Sequence, residues 1–307
     1  MGRVYETITR KLVHSPKRMG ILQLLSGAVM ISFSAVFVKL SNVEPTVSAF
    51  YRMFFGGLLL GIIVLVLRKE SWVGWRPLGL MFACSGFFAL DLIVWHRSIN
   101  YVGPGLATIL ANFQVFFLAA FGVIVYKERL TFRFLISVLL GLLGLILIVG
   151  PEWSDLGTVY RIGVLFGLMT ALAYSFFLLI LRELQSRWST LSPLFTMAII
   201  SLATALLLAS QTGMEKASFQ IPDRKTWGCL VAYGVMGQVL GWVLITKGIS
   251  KVDASRVGLI LLLQPSLSFV WDILFFSRPT GLIEILGALL AITAIYSGSI
   301  RDQEKSG

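Results

Sequence analysis

Apolar residues fill this chain in ten blocks separated by short polar or Pro/Gly-containing connections, over residues 20–40, 46–67, 77–99, 104–126, 132–149, 161–182, 192–210, 227–247, 254–276 and 281–299. A helix needs about 20 predominantly apolar residues to cross about 30 Å of hydrocarbon. The blocks, spans 1 to 10 in order, therefore predict an all-α integral membrane protein with ten transmembrane helices and no room for a soluble domain. Connections such as Ser41-Asn42-Val43-Glu44-Pro45 and Gly150-Pro151-Glu152-Trp153-Ser154-Asp155 end each block. Composition agrees, with 57% hydrophobic residues, 13% charged and a mean hydropathy of +0.85.

A net charge of +11 would point to a polyanionic partner in a soluble protein, but its distribution here points elsewhere. With both termini cytoplasmic, 18 Lys/Arg fall on the inner side and 6 on the outer side, while Lys39 and Arg52 lie within spans. That is the positive-inside bias of a multi-pass inner-membrane protein, and it makes nucleic-acid binding unnecessary. Span 1 is too long for a signal h-region and lacks a small-residue cleavage site, so it is read as a membrane span. Residues 1–19 form a cytoplasmic segment with Val4, Ile8 and Leu12 on one side, fit to lie on the inner surface, and residues 300–307 a cytoplasmic tail. Cys84 and Cys229 sit at different depths and predict no disulfide.

The last five spans repeat the first five. Arg97-Ser98-Ile99-Asn100-Tyr101-Val102 aligns with Lys247-Gly248-Ile249-Ser250-Lys251-Val252 at an offset of 150, which also places Gln114 on Gln264. Span 1 aligns with span 6 at an offset of 143, placing Gly20 on Gly163, Ser32 on Ser175 and Lys39 on Arg182. Five is odd, so the second repeat (161–299) must enter the membrane from the side opposite to the first (20–150). Inverted repeats serve secondary transporters, whose halves exchange roles between outward-open and inward-open states.

Four stretches carry a resemblance to a known family. They are Glu44-Pro45-Thr46-Val47-Ser48-Ala49-Phe50-Tyr51-Arg52, Asp91-Leu92-Ile93-Val94-Trp95-His96-Arg97-Ser98-Ile99, Gly105-Leu106-Ala107-Thr108-Ile109-Leu110-Ala111-Asn112 and Glu128-Arg129-Leu130-Thr131. In this order and at these positions the chain resembles the ten-helix, EamA-type members of the drug/metabolite transporter superfamily over residues 20–299. The resemblance implies two five-helix inverted repeats, cytoplasmic termini, a central cavity and transport of small metabolites, often export of amino acids or related compounds. The chain departs in span 4, where Gln114-Val115 stands opposite Gln264-Pro265 of span 9, and after span 9, where Arg278-Pro279-Thr280 replaces the Glu-x-Leu-Thr pattern.

Charged groups inside spans cost about 2.5–3.5 kcal/mol on insertion scales and each needs a reason. Arg52 lies roughly 9 Å below the outer start of span 2 at 1.5 Å per residue. It is a candidate for a substrate carboxylate, or else snorkels to headgroups or pairs structurally with Glu44 or Asp91. Asp91 shares a helical face with Cys84, Phe88, Trp95 and Ser98. It is a candidate for a substrate ammonium or a protonatable coupling site, the alternative being a permanent pair with Arg52. His96 reads as an interfacial or packing histidine. Further candidates for lining a cavity are Trp95, Asn112, Tyr174, Gln238, Trp242, Gln264 and Trp271, with interhelical hydrogen bonding and aromatic packing as the alternative for each. Asn112 and Gln114 differ by about 200° and cannot both face one cavity. Pro265, near the midpoint of span 9, removes a backbone donor and crowds the Leu261 carbonyl, marking a hinge or else a static kink that shapes the cavity; span 4, with Val115, is expected to be straighter.

No nucleotide-binding loop, metal-ligand cluster or nucleophile–base arrangement is present in the sequence, so no cofactor or metal is expected and the chain is not read as an enzyme. The functional expectation is a secondary transporter of small metabolites in a bacterial inner membrane, moving solute by alternating access in the direction of export, with protons as a candidate coupling ion. Its partners are a small-molecule substrate and the bilayer. An importer or exchanger of organic anions or nucleoside-like metabolites is the alternative within transport; a membrane enzyme or receptor is the alternative outside it. Direction, substrate and oligomeric state stay open.

Overall fold

The computed structural model describes residues 16–68, 74–149, 158–277 and 280–300. The N-terminal segment, the C-terminal tail and the Arg278-Pro279 departure therefore lie wholly or largely outside the described residues. Every described element is a helix. Eight are long and apolar enough to cross a membrane: α1 (Pro16–Leu40), α2 (Pro45–Val66), α3 (Trp75–Val102), α4 (Ala107–Ile124), α6 (Tyr160–Arg187), α7 (Pro193–Met214), α8 (Arg224–Ile249) and α9 (Ala254–Phe276). Two apolar helices are shorter, α5 (Phe132–Leu147) and α10 (Leu282–Gly298). The outward surface carries Leu65, Val66, Phe132, Leu139, Leu206 and Leu274, all exposed, as lipid contact demands of a protein with its polar groups turned inward.

Local sequence sets the helix starts. Both α2 and α7 begin with Pro at the first helical position after an extended residue, and both run for 22 residues. Proline is favourable there because its missing N–H is one that no helical carbonyl would accept. Between α3 and α4 the backbone stays helical from Trp75 to Asn112, yet it is not straight. A Cβ on Gly167 of α6 would touch both Leu110 and Ser98. Twelve residues of straight helix would hold those two about 18 Å apart, so the chain doubles back between them.

Glycines make the close helix contacts, and these recur at the repeat offsets. A Cβ at Gly20 would collide with Lys251 and Val252, and one at Gly163 with Tyr101 and Val102. The two pairs correspond under the offsets of 143 and 150. Ser98 donates to the Gly163 carbonyl at 2.9 Å; at its counterpart Gly248, with no side chain, the Gly20 carbonyl approaches directly. Thus α1 packs on α8 at one face of the protein (face I), and α6 on α3 at the opposite face (face II).

Four helices are irregular. α1 is interrupted at Phe33, α4 at Phe113 and α9 at Leu262, and α8 contains a π-helical stretch from Gly234 to Trp242. The expectation that α4 would be straighter than α9 is corrected. Phe113 (φ −60°, ψ −10°) and Leu262 (φ −61°, ψ −15°) have nearly the same backbone, and each donates to the carbonyl three residues back, at 3.1 and 3.2 Å. Pro265 accounts for the second break; Val115 shows that the first forms without proline.

At face I, Glu128 follows α4 and caps α9. Its carboxylate accepts from Ala254 N (2.7 Å), Ser255 N (3.2 Å) and Ser255 Oγ (2.7 Å), satisfying donors that α9 leaves open and placing negative charge at a helix N-terminus. Asp253, which precedes α9, instead pairs with Lys17 at 3.0 Å and Arg256 at 3.5 Å. Replacing Glu128 with Ala should lower unfolding stability in detergent by about 1–3 kcal/mol, the worth of hydrogen bonds to a charged acceptor, and Glu128→Gln should lower it less. Equal unfolding midpoints for Glu128→Ala and the parent would show that the cap contributes nothing.

Candidate functional site

The candidate residues converge where α2, α3, α6, α8 and α9 meet, with Arg52 and Asp91 at the centre. Arg52 is 6% exposed. Its Nη1 donates to the Tyr233 hydroxyl at 3.1 Å, its guanidinium carbon lies 4.9 Å from the centre of the Tyr233 ring, and its Nε has no partner. Snorkelling is thereby excluded for this side chain, which is held inside by α8. Asp91 is half-buried and lies within electrostatic reach of Arg52 and Tyr174. Among the described residues the ion pairs within 4.0 Å are Lys17–Asp253, Lys39–Asp272, Arg187–Glu183 and Arg256–Asp253, so Arg52 and Asp91 do not form a direct pair.

The face of α3 that holds Asp91 is in large part a contact with α6. Cys84 Sγ points to the Phe177 carbonyl at 3.5 Å, the Phe88 and Phe177 rings stack at 4.2 Å, and Ser98 is bonded to Gly163. Asp91 and Trp95 are the half-buried members of this face. Tyr174 lies beside them on α6, within electrostatic reach of Asp91 and Arg52, and the Nε2 of Gln264 is buried without a partner. Trp242 is 2% exposed, edge-on to Phe177 (4.8 Å), Phe88 (5.3 Å) and Tyr174 (6.2 Å), with its Nε1 unbonded. Gln238 is fully buried; its Nε2 donates to Ser201 Oγ at 2.7 Å while Oε1 has no partner.

Two sequence candidates are placed otherwise. Trp271 donates from Nε1 to Ser32 Oγ at 2.7 Å and stacks on Phe33 at 4.4 Å, while Ser268 donates to the Ser32 carbonyl at 2.9 Å. This part of α9 therefore repairs the interruption of α1. Asn112 donates to the Thr108 carbonyl of its own helix at 2.7 Å, and the side-chain oxygen of the buried Gln114 has no partner, so Gln114 is the better placed of the two. His96 lies beside Trp95 with its Nδ1 buried and unbonded. The reading of the sequence missed Tyr233, which holds Arg52, and the π-helical course of α8. The signal was present as Gly234, Gly237 and Gly241 within eight residues of one apolar helix.

At face II, Asp223 joins the α1–α2 connection to α8. It accepts from Thr226 N (2.7 Å), Thr226 Oγ1 (2.8 Å) and Asn42 Nδ2 (3.2 Å), and Lys39 pairs with Asp272 at 2.9 Å. The Thr226 N–H first, then the Thr226 hydroxyl and the Asn42 amide, hold the Asp223 carboxyl below its ordinary value.

The EamA-like transporter family model matches residues 18–150 and again residues 161–298. The pseudopaline exporter CntI of Pseudomonas aeruginosa (strain UCBPP-PA14) is 25% identical, over 89% of this chain and 96% of its own length. The S-adenosylmethionine uptake transporter of Rickettsia prowazekii (strain Madrid E) is 23% identical, over 81% of this chain and 82% of its own. A protein of known crystal structure superposes with a TM-score of 0.76 over 91% of this chain and 96% of that one, at 18% identity, a likeness of fold.

Because the Asp223 pKa is lowered by folding, its contribution to stability is complete above the ordinary carboxylate range and is lost as pH falls through the lowered value. Stability of the purified protein should therefore decline on acidification with a component that Asp223→Asn removes. An unchanged acid limb in that variant would show that the Asn42–Asp223–Thr226 contact does not contribute.

Proposed function

Since the chain belongs to the EamA-like transporter family, we propose that it is a secondary transporter of small zwitterionic or amphipathic metabolites, amino acids or related compounds, working in the direction of export. A multi-pass membrane protein with two repeats, 20–150 and 161–299, has the symmetry that alternating access uses. The 18-to-6 charge bias supports an orientation with both termini and face I in the cytoplasm of a bacterial inner membrane. The exporter among the relatives supports the direction.

One observation carries the reading: a guanidinium and a carboxylate lie near each other within the membrane, unpaired, Arg52 satisfied only in part by a neutral tyrosine and Asp91 half-buried. Two opposite charges left apart at that depth are costly unless a third party completes them. A zwitterion does so, its carboxylate at Arg52 and its ammonium at Asp91. Tyr174, Gln264, Gln238 and Trp242 then frame the remainder of the solute, with Trp95 beside Asp91. Asp91 is also the group placed to exchange a coupling proton as substrate leaves. Uptake or exchange of organic anions or nucleoside-like metabolites is the second reading, favoured by the half-buried Tyr174 ring, backed by Phe177 and Trp242 and able to stack on a planar solute, and by the uptake transporter among the relatives.

Transport of amino acids into proteoliposomes, with and without a pH gradient, tests this. Arg52→Gln and Asp91→Asn should insert normally and transport about 10- to 100-fold more slowly, the range that loss of a charged hydrogen bond of about 1.5–3 kcal/mol gives. Wild-type rates in both variants, from mildly acidic to mildly alkaline pH, would remove the assignment. If Asp91→Asn alone abolishes dependence on the pH gradient, Asp91 is the coupling residue.

Pro265 is the hinge in this scheme. Pro265→Ala restores a backbone donor, and it should slow transport while substrate affinity stays within about threefold, since gating alters rates more than ground-state contacts. Unchanged transport, or affinity lost in parallel, would remove the hinge.

A further inference from the structure

The π-helical stretch Gly234-Val235-Met236-Gly237-Gln238-Val239-Leu240-Gly241-Trp242 has a consequence for ligand chemistry. Such stretches are rare and frequently occur at functional sites. Two of its glycines are explained by packing. A Cβ at Gly234 would run into Gly56 N and Phe55 of α2, and one at Gly241 would meet Ile31 of α1. Gly237 is different. The nearest atom to a Cβ there is Arg52 Nε, at 3.3 Å, followed by Tyr233 ring carbons at 3.5 and 3.6 Å. A side chain at this position would crowd Nε at 3.3 Å, little more than the about 2.9–3.0 Å at which an acceptor bonded to it stands.

That acceptor is missing from the protein itself. Arg52 Nε is buried and unbonded, and the Nη1 bond goes to neutral Tyr233. On the same stretch Gln238 Oε1 and Trp242 Nε1 are likewise buried and unbonded. A buried charged donor without a partner costs more than the bond it would make, so the arrangement is stable only if something outside the chain completes it.

We propose that Gly237 and Arg52 Nε form a slot for a carboxylate oxygen of the transported solute. The inference rests on the transport reading and deepens it: Arg52 presents its Nε edge to the solute because Tyr233 occupies Nη1, and Gly237 determines specificity by keeping that edge open. Solutes bearing a free carboxylate are selected, and their decarboxylated amines are not.

The test uses the purified full-length protein in detergent and reads thermal stabilisation by the twenty common amino acids, their decarboxylated amines and short-chain monocarboxylates, alongside transport of the same compounds. Carboxylate-bearing compounds should stabilise the parent where the amines do not. Gly237→Ala should weaken their apparent affinity at least about tenfold, the equivalent of one bond to a charged group. Arg52→Lys, which keeps the charge and lacks the Nε edge, should do the same; it decides the matter if Gly237→Ala does not fold. Amines binding as well as amino acids, no stabilisation by any carboxylate, or full affinity in a folded Gly237→Ala or in Arg52→Lys would each overturn the slot. Transport that persists without carboxylate dependence would overturn the slot and leave the transport reading standing, whereas absence of transport for every compound counts against the transport reading itself.

Discussion

Hydrocarbon offers no hydrogen bonds, so every departure from α-helix inside the membrane must find its partners within the protein. This constraint organises the interior. The break of α1 at Phe33 is sustained from α9, where Ser268 bonds the Ser32 carbonyl and Trp271 the Ser32 hydroxyl. The breaks at Phe113 and Leu262 stay within their own helices by tightening one turn to three-residue bonds. The wide turns of α8 keep their bonds by reaching one residue further. Irregular backbone therefore gathers around one region, and the functional side chains gather with it.

Side-chain charge obeys the same accounting. Lys17, Lys39, Asp253 and Asp272 pair near the two faces, where water softens the cost. Glu128 is spent on the N-terminus of α9. Arg52 and Asp91 remain as the deep charges without a direct counter-ion, and the structure provides Tyr233 as a support and leaves Nε free. A scaffold needing only stability would have joined them or replaced both by apolar residues.

Much of this was legible in the sequence because it rests on periodicities that the bilayer enforces. Block lengths located the helices, and the offsets of 143 and 150 forecast the matching contacts of Gly20 with Val252 and of Gly163 with Val102. Arg52, Asp91, Tyr174, Gln238, Trp242 and Gln264 were picked out by polarity at depth and do come together. Trp271 was not distinguishable from them, since an indole that repairs a neighbouring break and one that lines a cavity leave the same trace. Helical-wheel reasoning also assumes 100° per residue, so it failed across Gly234–Trp242, where hydrogen bonds shift to i→i+5. Tyr233 escaped notice because an uncharged aromatic in an apolar helix carries no mark of the charged partner it will meet.

The two repeats break α4 and α9 at matching points with matching dihedrals, yet for different reasons. In α9 the break is chemical: Pro265 has no N–H, and no rearrangement of its neighbours restores the bond to Leu261. In α4 every residue around Phe113 retains its donor, so the break is conformational and is held by packing, with the Gln114 carbonyl receiving Ser175 Oγ of α6 at 3.4 Å. A bond that long contributes little to holding the turn. Sequence asymmetry within near-symmetric geometry thus sets one bend through a missing backbone donor and the other through packing alone.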